Sequence, residues 1–144
     1  MVRRKAREIA LQVLFQKDLR ECSLGEVLRY TELPEEWDEE TRAFFFQLVR
    51  GVDRNIDFID AVLAKTVEKW SLSRMMNVDR NILRMATFEI MFMPDIPVGV
   101  AINEAVELGK KYGSEESGKF INGVLAKLVK KIECKEITVE ESSK

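Results

Sequence analysis

The sequence predicts an all-α fold, a single compact bundle of about seven helices, and three observations predict it. Apolar residues recur at spacings of three and four through most of the chain, and no window sustains the alternation of a strand. Gly 7 and Pro 3 make 10 of 144 residues, about 7% where average usage gives about 12%, so few turns are encoded. No self-similar repeat of about 20 to 50 residues is present, which sets aside a solenoid.

Between Arg3 and about Arg20 there is no Gly or Pro, and Ala6, Ile9, Ala10, Val13 and Leu14 mark the inward stripe of a first helix. A shorter second helix starts with Ser23 as N-cap, carries Val27 and Leu28, and stops in the Pro34 region. Residues 32–40 hold six acidic residues and one Trp and read as a linker. Phe44, Phe45, Leu48, Val49 and Val52 define a third helix, whose end Gly51 weakens. Ile56, Ile59, Val62, Leu63 and Val67 define a fourth, beginning near Asn55 or Asp57. Residues 71–77 read as irregular, after which Val78, Ile82, Met85, Ala86 and Ile90 give a fifth helix that Pro94 and Pro97 end. A sixth runs from Val98 to Tyr112 through Ile102, Ala105, Val106 and Gly109, with Lys110 and Lys111 in its last turn complementing the helix dipole. Gly113 fits a C-cap and Ser114 the N-cap of a seventh helix, with Glu115 and Glu116 in its first turn and Ile121, Val124, Leu125, Leu128 and Ile132 inward. One domain therefore covers residues 1–133, and the polar segment 134–144 is an expected frayed tail.

Composition narrows the chemistry. His is absent, which removes the usual general base near neutral pH and the commonest metal ligand. Cys22 and Cys134 match no ligand spacing and point to a reduced, cytoplasmic chain; a disulfide between them is the open alternative, with no support in the sequence. The apolar run Ile9 to Phe15 is broken by Gln12 and soon followed by charges, so neither a signal peptide nor a membrane span is expected. Residues 113–119 satisfy G-x-x-x-x-G-K of a phosphate-binding loop. However, Phe120 stands where the magnesium-binding Ser or Thr belongs, and a helix precedes it instead of a strand. Carboxylate pairs such as Glu35 with Glu36 and Glu104 with Glu107 read as solvated faces or caps. Asn103 and Asn122, beside apolar stripes, read as structural anchors. No enzymatic activity, cofactor, metal or catalytic residue is expected.

The net charge of -2 conceals two regions of opposite sign, because Arg3, Arg4, Lys5 and Arg7 contribute +4 while residues 32–40 contribute -6. Four cations at a helix N-terminus, with Arg3 and Arg7 on one face, oppose the helix dipole and favour an anionic partner; a solvated basic terminus is the alternative. Arg offers a planar fork that grips phosphate and stacks on an unpaired base. Lys119 and Phe120 form a second candidate surface, an aromatic within a positive field, although Phe120 also suits the edge of the core. Asp79, Arg80 and Arg84 are expected opposite the apolar stripe of the fifth helix, as a solvated face or a docking rim.

The opening RRKAREIALQVLFQKDL, together with PVGVAINEAVELGKKYGSEESGKFINGVLAKL, closely resembles the NusB family of bacterial transcription antitermination factors. The second motif is long and specific, and helix number and order agree over nearly the whole chain. The resemblance implies a non-enzymatic protein that binds the boxA element of nascent RNA jointly with the ribosomal protein NusE. It also implies entry into the elongating RNA polymerase complex with other Nus factors. It places Arg3, Arg4, Lys5 and Arg7, together with Glu116, Lys119 and Phe120, at the RNA, and Gln16, Asp79 and Arg84 at NusE. The chain departs from the family pattern at Pro97-Val98-Gly99, where a Lys is frequent, and at Gly109, where Ala is common and Gly should loosen the helix. Two other readings stay open: a helical scaffold that homodimerises through apolar faces, and a relative of the N-terminal domain of RNA cytosine methyltransferases. The second lacks a Gly-rich cofactor turn and a Cys-centred catalytic motif.

Overall fold

Short polar side chains placed ahead of apolar runs set where the helices start. The computed structural model describes residues 3–67 and 72–137. Among them are α1 (Arg3–Arg20), α2 (Leu24–Arg29), α3 (Glu39–Arg54), α4 (Ile56–Val67), α5 (Asn77–Phe92), α6 (Val98–Tyr112) and α7 (Glu115–Glu133), with a 3₁₀ turn at Leu72–Arg74. The side chains of Ser23, Asp38 and Ser114 accept the backbone N–H of Glu26 at 3.2 Å, Thr41 at 2.8 Å and Ser117 at 3.2 Å. Each such cap is worth about 1 kcal/mol. The acidic linker is consequently shorter than expected, since Asp38 caps α3 and Glu39 and Glu40 occupy its first turn, facing the positive end of the dipole.

Helix ends are less conventional. α2 stops at Arg29, well before Pro34, because Thr31 Oγ1 donates to the Val27 carbonyl at 2.7 Å and closes the last turn. α3 runs through Gly51 to Arg54, where Asn55 Nδ2 donates to the Gly51 carbonyl at 2.8 Å. α1 and α7 end through left-handed residues that are not glycine, Glu21 (φ 51) and Lys135 (φ 59). The following amides, Cys22 and Glu136, close back on the carbonyls of Lys17 at 3.3 Å and Lys131 at 2.9 Å. Each non-glycine residue in this conformation costs about 1 kcal/mol. The turn after α7 brings Ile137 onto the core, so residues 134–137 of the expected tail are packed down; residues 138–144 lie outside the described residues.

α5 is the axis of the bundle, packed by α1, α3, α4, α6 and α7. Every residue from Asn81 to Glu89 is buried, polar ones included. This corrects the expectation of a solvated face on α5. Asn103 and Asn122 are exposed and not anchors in the core. Gly109 has a positive packing role: a Cβ there would lie 2.7 Å from Ile121 Cδ1 and 3.3 Å from the Gly118 amide nitrogen, so α6 and α7 meet at backbone distance. The phosphate-loop-like segment is this α6–α7 junction. Among the described residues no helix is long and apolar enough to cross a membrane, and both cysteines are free.

Candidate nucleic-acid interface

The first two turns of α1 bring four cations together, and the fold supplies their counter-charges from other helices. Arg4 donates two hydrogen bonds to Glu104 of α6, at 3.1 and 2.6 Å. The pairing lifts the Arg4 guanidinium above its usual range. The Glu104 carboxyl sits below its usual range because Arg4 hydrogen-bonds it, with partial burial acting against this. Lys5 stands 3.9 Å from Glu8, and Arg3 lies 4.0 Å from Asp95 with its guanidinium 4.6 Å from the centre of the Phe44 ring. Arg4 and Lys5 are exposed and Arg3 is half-buried.

Arg7 differs from the other three. It is 3% exposed, hydrogen-bonds both carboxylate oxygens of buried Glu89 at 2.7 to 3.2 Å, approaches Glu104 at 3.7 Å and has its guanidinium 5.1 Å from the centre of the same Phe44 ring. The sequence expectation of four outward cations is thus corrected to three, with Arg7 turned inward. The repulsion expected among them is relieved by Glu8, one turn from Lys5, and by Glu89 and Glu104, which α5 and α6 bring to Arg7 and Arg4 and which no local spacing signals. Glu104 had appeared only as half of an ordinary acidic pair with Glu107.

The α7 surface is wetter. Glu116 and Lys119 are exposed and 3.9 Å apart across one helical turn, while Phe120 is half-buried against the core. Phe120 therefore stands at the core edge, as its position one step from Ile121 suggested.

On α5 the expected partner-facing residues are drawn into the bundle. Arg84 is 9% exposed and forms a two-pronged pair with Asp60 of α4 at 2.8 and 2.8 Å. It also reaches Asp18 of α1 at 3.2 Å, where Arg80 donates at 2.9 and 2.8 Å and Asn81 at 3.0 Å to the same oxygen. Arg84 therefore fastens α1, α4 and α5 together, which corrects its reading as part of an exposed rim. Asp79 is also buried, and its Oδ1 has no hydrogen-bond partner among the described residues. Gln16 is exposed and lines a groove of about 300 Å³ with Leu11, Gln12, Phe15, Val78 and Tyr112.

The Asp18 cluster has a pH signature. Burial raises its carboxyl, but the hydrogen bonds from Arg80 and Asn81 and the charges of Arg84 and Arg80 overcome this and hold it below the ordinary range. A depressed carboxyl contributes stability above its unfolded pKa and loses it as pH falls through the folded one. The stability difference between the wild type and Asp18→Asn should therefore be constant from about pH 7 to about pH 5 and shrink below about pH 4. Urea titrations across that range measure it; a difference that grows on acidification would contradict the assignment.

The described residues thus make an all-helical protein with a layer of exposed cations over largely buried carboxylates, an apolar groove at Gln16 and, among them, no cluster of metal-ligating residues. The NusB family model matches residues 4–130, and the chain belongs to the NusB family. It is 50% identical over 129 residues to the transcription antitermination protein NusB of Pelotomaculum thermopropionicum, covering 90% of each chain. Among solved structures it is similar to T. maritima NusB, with TM-score 0.83, 40% identity and coverage of 90% of this chain and 92% of that one. It is also similar to antitermination factors NusB and NusE in complex with double-stranded RNA, with TM-score 0.77, 32% identity and coverage of 90% and 98%.

Proposed function

We propose that this chain is a transcription antitermination factor that binds boxA of nascent ribosomal RNA together with NusE, in the cytoplasm, and joins elongating RNA polymerase with other Nus factors. Its work is binding rather than catalysis, performed by one domain over residues 1–133. The observation that carries the reading is the exposed Arg4 and Lys5 above half-buried Glu104 and buried Glu8, in a chain similar to antitermination factors NusB and NusE in complex with double-stranded RNA. Arg3, Arg4 and Lys5 meet the phosphates, and Glu116, Lys119 and half-buried Phe120 meet the RNA from α7. Arg7 acts from beneath by fixing α1 to α5. NusE occupies the groove at Gln16; buried Asp79 follows the groove residue Val78 in the chain, and Arg84 holds α1 against α5, which form part of the groove wall. A second surface on the same RNA makes the pair bind more tightly than either protein alone.

The test is fluorescence anisotropy with boxA RNA and a scrambled oligomer, with and without NusE. Preference for boxA that strengthens with NusE is expected; equal affinity for both oligomers in the presence of NusE overturns the reading. Replacing Arg3, Arg4 and Lys5 together with Ala should weaken binding at least about tenfold and lower the salt slope by about 2, since each phosphate contact on a single strand contributes about 0.7.

A further inference from the structure

The two expected RNA surfaces, on α1 and on α7, are more than 100 residues apart in the chain, and the end of α6 joins them. Lys111 Nζ donates to Glu8 Oε2 of α1 at 2.7 Å, with the Lys111 side chain 59% exposed and that of Glu8 only 10%. Arg4 repeats the arrangement, 64% exposed over a Glu104 that is 15% exposed. Lys5, also over Glu8, is 56% exposed. Three cations thus form an outer layer above two carboxylates, and the solvent side of this strip presents positive charge. Between Arg4 and Lys111 lies a cleft of about 130 Å³, lined by Arg4, Glu8, Glu104, Glu107, Leu108 and Lys111. Next to Lys111 in the chain, Lys110 packs over Gly118 of α7, where a Cβ would lie 2.9 Å from Lys110 Cγ, and Lys119 follows Gly118 directly. Lys110 and Lys119 face exposed carboxylates, Glu107 at 3.7 Å and Glu116 at 3.9 Å, so they present less net charge outward.

We propose that Lys111 is a further phosphate-binding residue for RNA, held in place by Glu8, and that it carries the RNA backbone from Arg4 and Lys5 on α1 to Lys119 on α7. The proposal rests on the RNA-binding reading above. An ammonium has three donors; Glu8 takes one and the Tyr112 ring stands 5.5 Å from the nitrogen, while the 59% exposure of the side chain keeps the ammonium within reach of a phosphate oxygen. The Glu8 carboxylate raises the Lys111 amine above its usual range, which keeps it charged. A phosphate, unlike a base edge, needs no shape beyond a fixed cation, and Glu8 supplies the fixing. The sequence offered only a last-turn Lys suited to the helix dipole; its juxtaposition with Glu8 is a product of the α1–α6 contact.

The experiment uses the full chain with NusE and boxA RNA, titrated by anisotropy between about 50 and about 200 mM salt. Lys111→Gln should bind RNA about 3- to 10-fold more weakly and lower the salt slope by about 0.7. Lys111→Arg should stay within about twofold of wild type, because it keeps the charge. Lys130→Gln, the same charge change at the far end of α7, should have a smaller effect than Lys111→Gln. Affinity for NusE in the absence of RNA should not change, and thermal melting followed by circular dichroism confirms that each variant is folded. An unchanged slope for Lys111→Gln, a loss no larger than that of Lys130→Gln, or a fall in NusE affinity instead of RNA affinity overturns the assignment. Failure of the wild type to prefer boxA overturns the functional reading and the assignment together, and is seen before any variant is measured.

Discussion

Arg7→Ala is expected to lower the unfolding free energy by about 3–5 kcal/mol, while Arg4→Ala, one turn earlier in the same basic run, should leave stability nearly unchanged. The difference follows from where the charges end. Arg7 is 3% and Glu89 2% exposed, and truncating Arg7 leaves a carboxylate inside the bundle with its main partner gone. Arg4 is largely exposed, and Glu104 keeps access to water and to Arg7 at 3.7 Å. Burial already pushes the Glu89 carboxyl above the ordinary range, against the hydrogen bonds and charge of Arg7, and removing Arg7 pushes it further. A raised carboxyl contributes stability that is present at low pH and lost as pH rises through its folded pKa. The deficit of Arg7→Ala should therefore be largest at neutral pH and narrow on acidification. Denaturant titration at about pH 7 and about pH 5 measures both effects, and a neutral-pH cost under about 1 kcal/mol would show that the pair is dispensable. Replacing Arg7 and Glu89 together with Met should recover part of the loss, since a buried ion pair is worth little more than apolar residues of similar size. The consequence for function is practical: an alanine scan that scored only RNA affinity would credit Arg7 with a phosphate contact when the protein had lost its fold.

This is also where the sequence stopped being informative. The limits of α1 and α6 coincide with the predicted ones because their signals are local: an uninterrupted periodic run in one, Pro97 before and Gly113 after in the other. Ser23 and Ser114 were legible as caps for the same reason. The way α1 and α7 turn off carried no such signal, since Glu21 and Lys135 adopt a conformation that glycine usually marks. The burial of α5 was invisible because Asp79, Arg80 and Arg84 read as a polar face, and the neutralisation of the two arginines depends on Asp18 and Asp60, brought by other helices. The candidate site divided along the same line. Residue type and clustering revealed the cations, whereas which of them face outward depends on Glu8, Glu89 and Glu104, set by tertiary contact alone. Lys111 went unread as a site residue because its relevance begins only when α6 lies beside α1.

Gly51→Ala should destabilise the protein by about 2–4 kcal/mol, against the sign that helix propensity assigns it. In an open helix the change would gain about 1 kcal/mol. At Gly51, however, an added Cβ would fall 2.1 Å from Cζ, 2.4 Å from Cε1 and 2.7 Å from Cε2 of Phe88. The ring cannot move aside cheaply: Phe88 is 5% exposed on the axial helix α5 and stacks on Phe92 at 4.9 Å and 16°. Either α3 separates from α5 or the ring leaves its rotamer, and forcing a methyl into a filled core costs about 1–3 kcal/mol or more beyond the propensity gain. Gly123 supplies the control within the same molecule, because it lies in α7, is exposed and has nothing within 4 Å of an added Cβ. Gly123→Ala should raise stability by about 0.5–1 kcal/mol. The mechanism is isolated by a double-mutant cycle. Phe88→Leu is itself destabilising, but on that background Gly51→Ala should cost less than it does in the wild type, with a coupling of about 1 kcal/mol or more. Chemical denaturation of the four proteins measures it. If Gly51→Ala proves neutral or stabilising, or costs the same with Leu at position 88 as with Phe, the α3–α5 contact is looser than this geometry requires.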